Sequence, residues 1–313
     1  MTDNHSYWAA IVRRCRNWNR NSRFSEKSVV IFLWLSAMVS ILTTLGIVWV
    51  LFKESLPFFS EVSLFEYLMG TQWSPLFSPQ KFGVLPLICG TFLIAAGAAM
   101  VAIPFGVGTA IFLSEYASNR TRDVIKPVME VLSGIPTVVY GYFALTFITP
   151  LLQSVIADVE VFNALSGAIV VGIMTIPMVA SLSDDAMRAV PDSLRYAAYA
   201  LGSTKFETSF KIVFPAALSG VIASMVLAVS RAIGETMAVT LASGATPKLT
   251  LNPLESIQTM TAYIVQVSLG DTPQGTLEYQ TIFVIGLTLF VITLCMNIVS
   301  NKVLDRYKLK YEV

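Results

Sequence analysis

Six stretches of roughly twenty or more apolar residues divide this chain, and its charges are gathered into the segments between them. The runs cover about 28–52, 84–114, 131–157, 161–183, 217–240 and 279–301. Crossing the hydrocarbon core of a bilayer takes ~20 residues of helix. Only 13% of the 313 residues are charged, about half the share usual in a soluble domain. These features predict an all-α, polytopic membrane protein with six transmembrane helices. The first run is longer than the core of a signal peptide, about 7–15 residues, so it is expected to stay as a helix. Pro104 in the second run is a candidate kink, and Pro136 and Pro150 allow the third to begin with an interfacial turn.

Positive charge orients the spans. Seventeen Lys and Arg fall in the amino-terminal tail, the loops after the second and fourth runs and the carboxy-terminal tail, against Lys53, Lys81 and Lys248 on the other side. Cytoplasmic loops carry the excess, so both termini are expected in the cytoplasm. The expected organisation is a basic tail over 1–27, a first span over 28–52 and an external segment over 53–83. A core follows over 84–302, with a cytoplasmic loop at 189–216, and then a second tail over 303–313. Trp73, three prolines and several phenylalanines make 53–83 read as a packed cap. The net charge of +1 gives no reason to expect nucleic acid. His5 is the single histidine, and Cys15, Cys89 and Cys295 are scattered, so neither a metal site nor a disulfide framework is expected.

The loop "AVPDSLRYAAYALGSTKFETSFKIVFPAALSGV", Ala189 to Val221, reads as two short helices. Asp192 or Ser193 is placed to cap the first, and Gly202 to end it. Ser203 or Thr204 caps the second, and Pro215 suits the first turn of the next span. The spacing of Tyr196, Ala197, Ala198, Gly202, Ile212 and Pro215 resembles the loop of ABC importer permeases. That pattern has Glu where Tyr196 stands and Leu where Phe214 stands. The resemblance implies that these residues form a coupling helix docking on a cytoplasmic ATPase. No "GxxxxGK[ST]" phosphate loop occurs in the chain, so it is not expected to be an enzyme.

Between Lys211 and Lys248 lie 36 residues, of which only Arg231 and Glu235 are charged. A charge at the centre of a bilayer costs ~2.5–3.5 kcal/mol even on the most lenient scale. Four residues apart on one helix, the two share a face. Arg231 stands ~20 Å along a helix starting near Leu218, past the midplane. An apolar pair would often be at least as stable as a buried ion pair, so both residues read as lining a substrate pathway. The guanidinium is a planar fork of donors suited to an oxyanion, and Glu235 is expected to hold it when no anion is bound. A second role for Glu235 stays open: accepting a hydrogen bond from phosphate while repelling sulfate.

"LSGIPTVVYGYFAL" (Leu132 to Leu145) and "SRAIGETMAVTLASG" (Ser230 to Gly244) are similar to the permease subunits of the high-affinity phosphate importer. "FGVLPLICGT" (Phe82 to Thr91) resembles the C type, PstC, rather than the A type. Sulfate and molybdate permeases carry related motifs around the arginine. The resemblance spans about residues 28–305. It implies the bundle of MetI-like permeases in a bacterial inner membrane, a PstA-type second permease, a PstB-type ATPase dimer and a PstS-type external phosphate-binding protein, with no cofactor in this chain. The rival classes are an ion-coupled secondary anion carrier, which leaves the coupling-type loop unexplained, and a membrane scaffold, which has no use for Arg231.

Overall fold

The computed structural model describes residues 4–311, with side chains over 26–302. His5, Cys15 and the arginines of residues 13–23 lie outside the described side chains. The chain divides into two compact units, residues 1–53 and 54–313. In the first unit, helix α1 (Asn4–Glu61) runs without interruption through the basic tail and the first apolar run. Its hydroxyls turn inward: those of Ser36, Thr43 and Thr44 donate to carbonyls four residues earlier at 2.8–2.9 Å. That leaves an outer surface of apolar side chains, as a lipid-facing helix requires.

In the second unit, the last turns of α1 are followed by α2 (Leu64–Met69), α3 (Leu85–Ile111), α4 (Asn119–Ser133), α5 (Thr137–Phe143), α6 (Thr149–Val155) and α7 (Ala164–Arg188). Then come α8 (Asp192–Ala200), α9 (Lys205–Thr208), α10 (Phe214–Ala216), α11 (Leu218–Ile233), α12 (Met237–Ala242), α13 (Met260–Leu269) and α14 (Leu277–Tyr311). Single π turns join α5 to α6 and α9 to α10, and a third, Phe112–Tyr116, extends α3.

Among the described residues, five stretches are long and apolar enough to cross a membrane: Glu26–Glu61, Leu85–Tyr116, Thr137–Val155, Ala164–Arg188 and Leu277–Lys302. A sixth crossing is made only by a pair, Lys205–Ala216 and Leu218–Ile233, bent by 70°. The six-run expectation therefore holds, with corrections. The second run stays helical through Pro104. The expected loop after it is a helix, α4, capped by the Ser118 hydroxyl, which accepts from the Thr121 amide at 3.2 Å. The third crossing starts at Thr137, after a turn at Gly134–Pro136. The fifth run, expected as one helix over 217–240, is broken between α11 and α12.

α3 and α7 form the centre of the bundle. Gly106 lies against Val179 and Gly172 against Val101, and a β-carbon at either glycine would come within 2.6 Å of the opposing valine. Such positions let two backbones approach closely where no hydrophobic force drives helices together. At one end of α3 aromatic residues from the segment 54–83 form a packed cluster. Phe58, Tyr67, Trp73 and Phe82 are buried together with Tyr263 of α13, the rings meeting edge to face at 5.0–6.4 Å. Tyr67 and Tyr263 satisfy their hydroxyls on Thr288 and Thr281 of α14, each at 2.7 Å. Helix α13 lies inside the segment 241–278, which is rich in Thr, Pro and Gly; the amide of its Met260 donates to the Thr91 hydroxyl of α3. The opposite, basic end gathers α4, α8, α9, α10 and the last turns of α3 and α7.

Candidate functional site

The break in the fifth crossing begins where glycine, the weakest helix former after proline, follows Ile233. Backbone bonds from Gly234 to Ser230 and from Glu235 to Ala232, both 3.3 Å, close α11. The chain restarts as α12 after Thr236, whose side chain makes no capping bond; the Glu235 carboxylate one residue earlier accepts from the Ala238 amide at 3.3 Å instead, the role of a helix cap. The Thr261 hydroxyl of α13 donates to the Glu235 carbonyl at 2.6 Å. Glu235 is 8% exposed. The expectation that Arg231 and Glu235 sit on one face of one helix is thus corrected. Arg231 belongs to the last turn of α11, Glu235 to the break, and no ion pair joins them. The spacing is helical only if the helix continues, and a glycine followed by a capping carboxylate ends it.

Arg231 instead faces a cleft of about 240 Å³ between α4, α7 and α11, lined by Lys126, Met129, Glu130 and Ser133 from α4 and by Pro177, Met178, Ser181 and Leu182 from α7. Among the described residues its guanidinium makes no ion pair or hydrogen bond. Tyr140 of α5 stands within electrostatic reach of it and donates its hydroxyl to the Leu132 carbonyl at 2.8 Å. The hydroxyls of Thr236, Thr240 and Ser133 bond to nearby carbonyls of their own segments, the usual use of such groups in membrane helices.

Two cations that the sequence offered only as topology markers, Arg122 and Lys126, are paired with α7, and Lys126 also lines this cleft. Arg122 Nη2 donates to Asp184 Oδ2 at 2.7 Å, and Lys126 Nζ to Asp185 Oδ1 at 2.8 Å and toward Asp184 at 3.9 Å. The side chain of Asp184 is 1% exposed, because α7 continues past the expected end of the fourth run to Arg188. The signal available was the spacing of Arg122 and Lys126, four apart, matched by two adjacent aspartates at the end of an apolar run.

At the basic end, α8 begins at Asp192 behind Pro191, so Asp192 and Ser193 are its first residues rather than its cap. Gly202 ends it at φ +83°. Thr204, not Ser203, caps α9 and forms a reciprocal box with Glu207. Tyr196 is 70% exposed, and Leu201, Phe206 and Phe210 also point outward. Ala198 is buried, Ala197 exposed, and Ile212 and Pro215 are half-buried.

Residues 102–308 match the family described as the inner membrane component of binding-protein-dependent transport systems. The chain belongs to that family of permeases. The permease is 37% identical over 247 residues to the probable ABC transporter permease protein YqgH of Bacillus subtilis, covering 79% of this chain and 80% of that one. It is 31% identical over 261 residues to the phosphate transport system permease protein PstC of Mesorhizobium japonicum, covering 77% and 79%. PstC 1 of Mycobacterium tuberculosis is 34% identical over 246 residues, covering 72% and 73%. The fold of the present permease is that of solved ABC transporters. A bacterial alginate ABC transporter in complex with an alginate pentasaccharide-bound periplasmic protein matches with TM-score 0.58 at 16% identity, over 87% of this chain and 94% of that one. The MetNI methionine transporter, in inward-facing form, matches with TM-score 0.52 at 14% identity, over 72% and 94%.

Proposed function

We propose that this permease is the PstC-type pore subunit of an ATP-driven importer that carries inorganic phosphate into the cytoplasm. The observation that carries the reading is Arg231: a half-buried guanidinium, without an ionic partner, facing a cleft large enough for a tetrahedral oxyanion. A fork of donors fits two oxygens of such an anion at once. The relatives named for phosphate transport support phosphate over sulfate or molybdate. The ion-coupled carrier loses its support, because the family works with binding proteins.

In this reading the basic end faces the cytoplasm with both termini, and a PstA-type permease completes the pore. A PstB-type ATPase pair docks on the residues from Tyr196 to Pro215. A PstS-type phosphate-binding protein docks on the opposite end, against the cap at 53–83. The chain performs no covalent chemistry. Its partners hydrolyse ATP, and α8–α10 pass the resulting motion to α11 through the 70° bend. Glu235 serves the pathway by fixing the break above Arg231.

The test is uptake by the complex reconstituted in liposomes with its binding protein. ATP-dependent phosphate uptake is expected, with sulfate and molybdate excluded. Arg231→Lys keeps the positive charge and loses the fork, so uptake is expected to collapse while the complex still assembles. Uptake near that of the unaltered complex removes Arg231 from the pathway.

A further inference from the structure

Arg231 shares its cleft with one carboxylate, and it is not Glu235. Glu130 of α4 lines the same cleft, while the Glu235 carboxylate is buried and occupied with the Ala238 amide. Lys126, Glu130 and Ser133 follow one another at helical spacing along one face of α4. The lysine one turn before Glu130 is its natural partner, yet Lys126 is held by Asp185 at 2.8 Å. Arg122, one turn earlier, is held by Asp184 at 2.7 Å. The two aspartates of α7 therefore take up the two cations that precede Glu130 at helical spacing on α4. Among the described residues Glu130 forms no ion pair, and its side chain is exposed to the cleft. An unpaired cationic fork and an unpaired carboxylate thus line one cleft from different helices.

We propose that Glu130 selects the anion held at Arg231, accepting a hydrogen bond from a protonated oxyanion and repelling a fully ionised one. Near neutral pH inorganic phosphate retains protons and sulfate does not. A carboxylate offers acceptors only, so phosphate gains a hydrogen bond there and sulfate meets like charge. Placing like charge against a wrong ligand is an effective means of rejecting it. The aspartate pair on α7 serves this function indirectly, by keeping Lys126 from neutralising Glu130. The inference rests on the proposed pathway role of Arg231.

The experiment uses the purified transporter complex with Ser181→Cys in the cleft and Cys15, Cys89 and Cys295 replaced by serine. The rate of labelling by a small maleimide is followed as phosphate or sulfate is added. Phosphate is expected to slow labelling, and sulfate to need a roughly tenfold higher concentration for the same effect. Glu130→Gln should bring sulfate level with phosphate, and Glu130→Asp should keep the difference. Equal protection by both anions with Glu130 in place overturns the proposal, as does a difference that survives Glu130→Gln. Arg231→Gln is expected to abolish protection by both anions. Phosphate protection that persists in Arg231→Gln, or is absent from the start, sinks the pathway reading instead.

Discussion

Arg195 of α8 donates through Nε (3.3 Å) and Nη2 (2.9 Å) to one oxygen of Glu115, which lies in the π turn at the end of α3. The same guanidinium donates to the carbonyls of Met187 and Val190 at 2.9 and 2.7 Å. One side chain thereby clamps the loop helix to the ends of both central helices. Lys205 of α9 stands 5.1 Å from the ring centroid of Tyr116, the neighbour of Glu115, so both halves of the loop grip the same turn.

This clamp predicts an uncoupled transporter when its charge is removed. Glu115 is 4% exposed at the side chain, and a hydrogen bond to a charged group contributes ~1.5–3 kcal/mol. Glu115→Gln keeps the shape and weakens the grip. The complex is expected to assemble with its basal ATPase intact, while stimulation of ATPase by the loaded binding protein falls several-fold. Measuring ATPase with and without that protein checks this; unchanged stimulation shows that the clamp transmits nothing.

Gly202 gives a graded test of the docking loop. Its φ of +83° lies in the left-handed region, and nothing stands within 4 Å of a β-carbon built there. The penalty for a side chain is therefore backbone strain alone, roughly 1–2 kcal/mol for an ordinary residue and less for asparagine, which tolerates this region. Gly202→Asn should retain the ATPase in co-purification from membranes, and Gly202→Val should lose a large part of it. The reverse order would show that the turn is not what positions the docking surface.

Orientation is read from Lys and Arg alone and has its own test. Gln80 and Asn119 are both exposed and lie at opposite ends of the crossing that begins at Leu85. A cysteine at Gln80 should react with a membrane-impermeant thiol reagent in intact cells whose outer membrane, if present, is permeabilised. One at Asn119 should not. Labelling of Asn119 alone would invert the assignment of the cytoplasmic end.

The crossings were legible because apolar runs of about 20 residues have few alternatives in a bilayer. The loop from Ala189 to Val221 was legible because proline, glycine and a capping threonine act locally. The site was less so. That Arg231 faces a cleft follows from its cost in hydrocarbon, but which groups share that cleft depends on how α4 and α7 pack. Lys126, Glu130 and Ser181 are far apart in sequence or look like ordinary surface residues there. The break at Gly234 was missed because a four-residue spacing of opposite charges is also the signature of a continuous helix.

That break yields the last prediction. If Glu235 were the partner of Arg231, its charge would matter through the guanidinium. The structure gives its carboxylate another task, accepting the Ala238 amide that starts α12. Glu235→Gln keeps an acceptor oxygen in place, whereas Glu235→Ala leaves the amide bare in a buried position, where loss of a cap costs ~1 kcal/mol. Thermal unfolding of the purified complex should rank the unaltered protein above Glu235→Gln, and Glu235→Ala lowest. The preference for phosphate over sulfate in the labelling assay should survive Glu235→Gln. Unfolding temperatures equal for Gln and Ala would remove the capping role. A preference lost in Glu235→Gln would return the selecting carboxylate from Glu130 to Glu235.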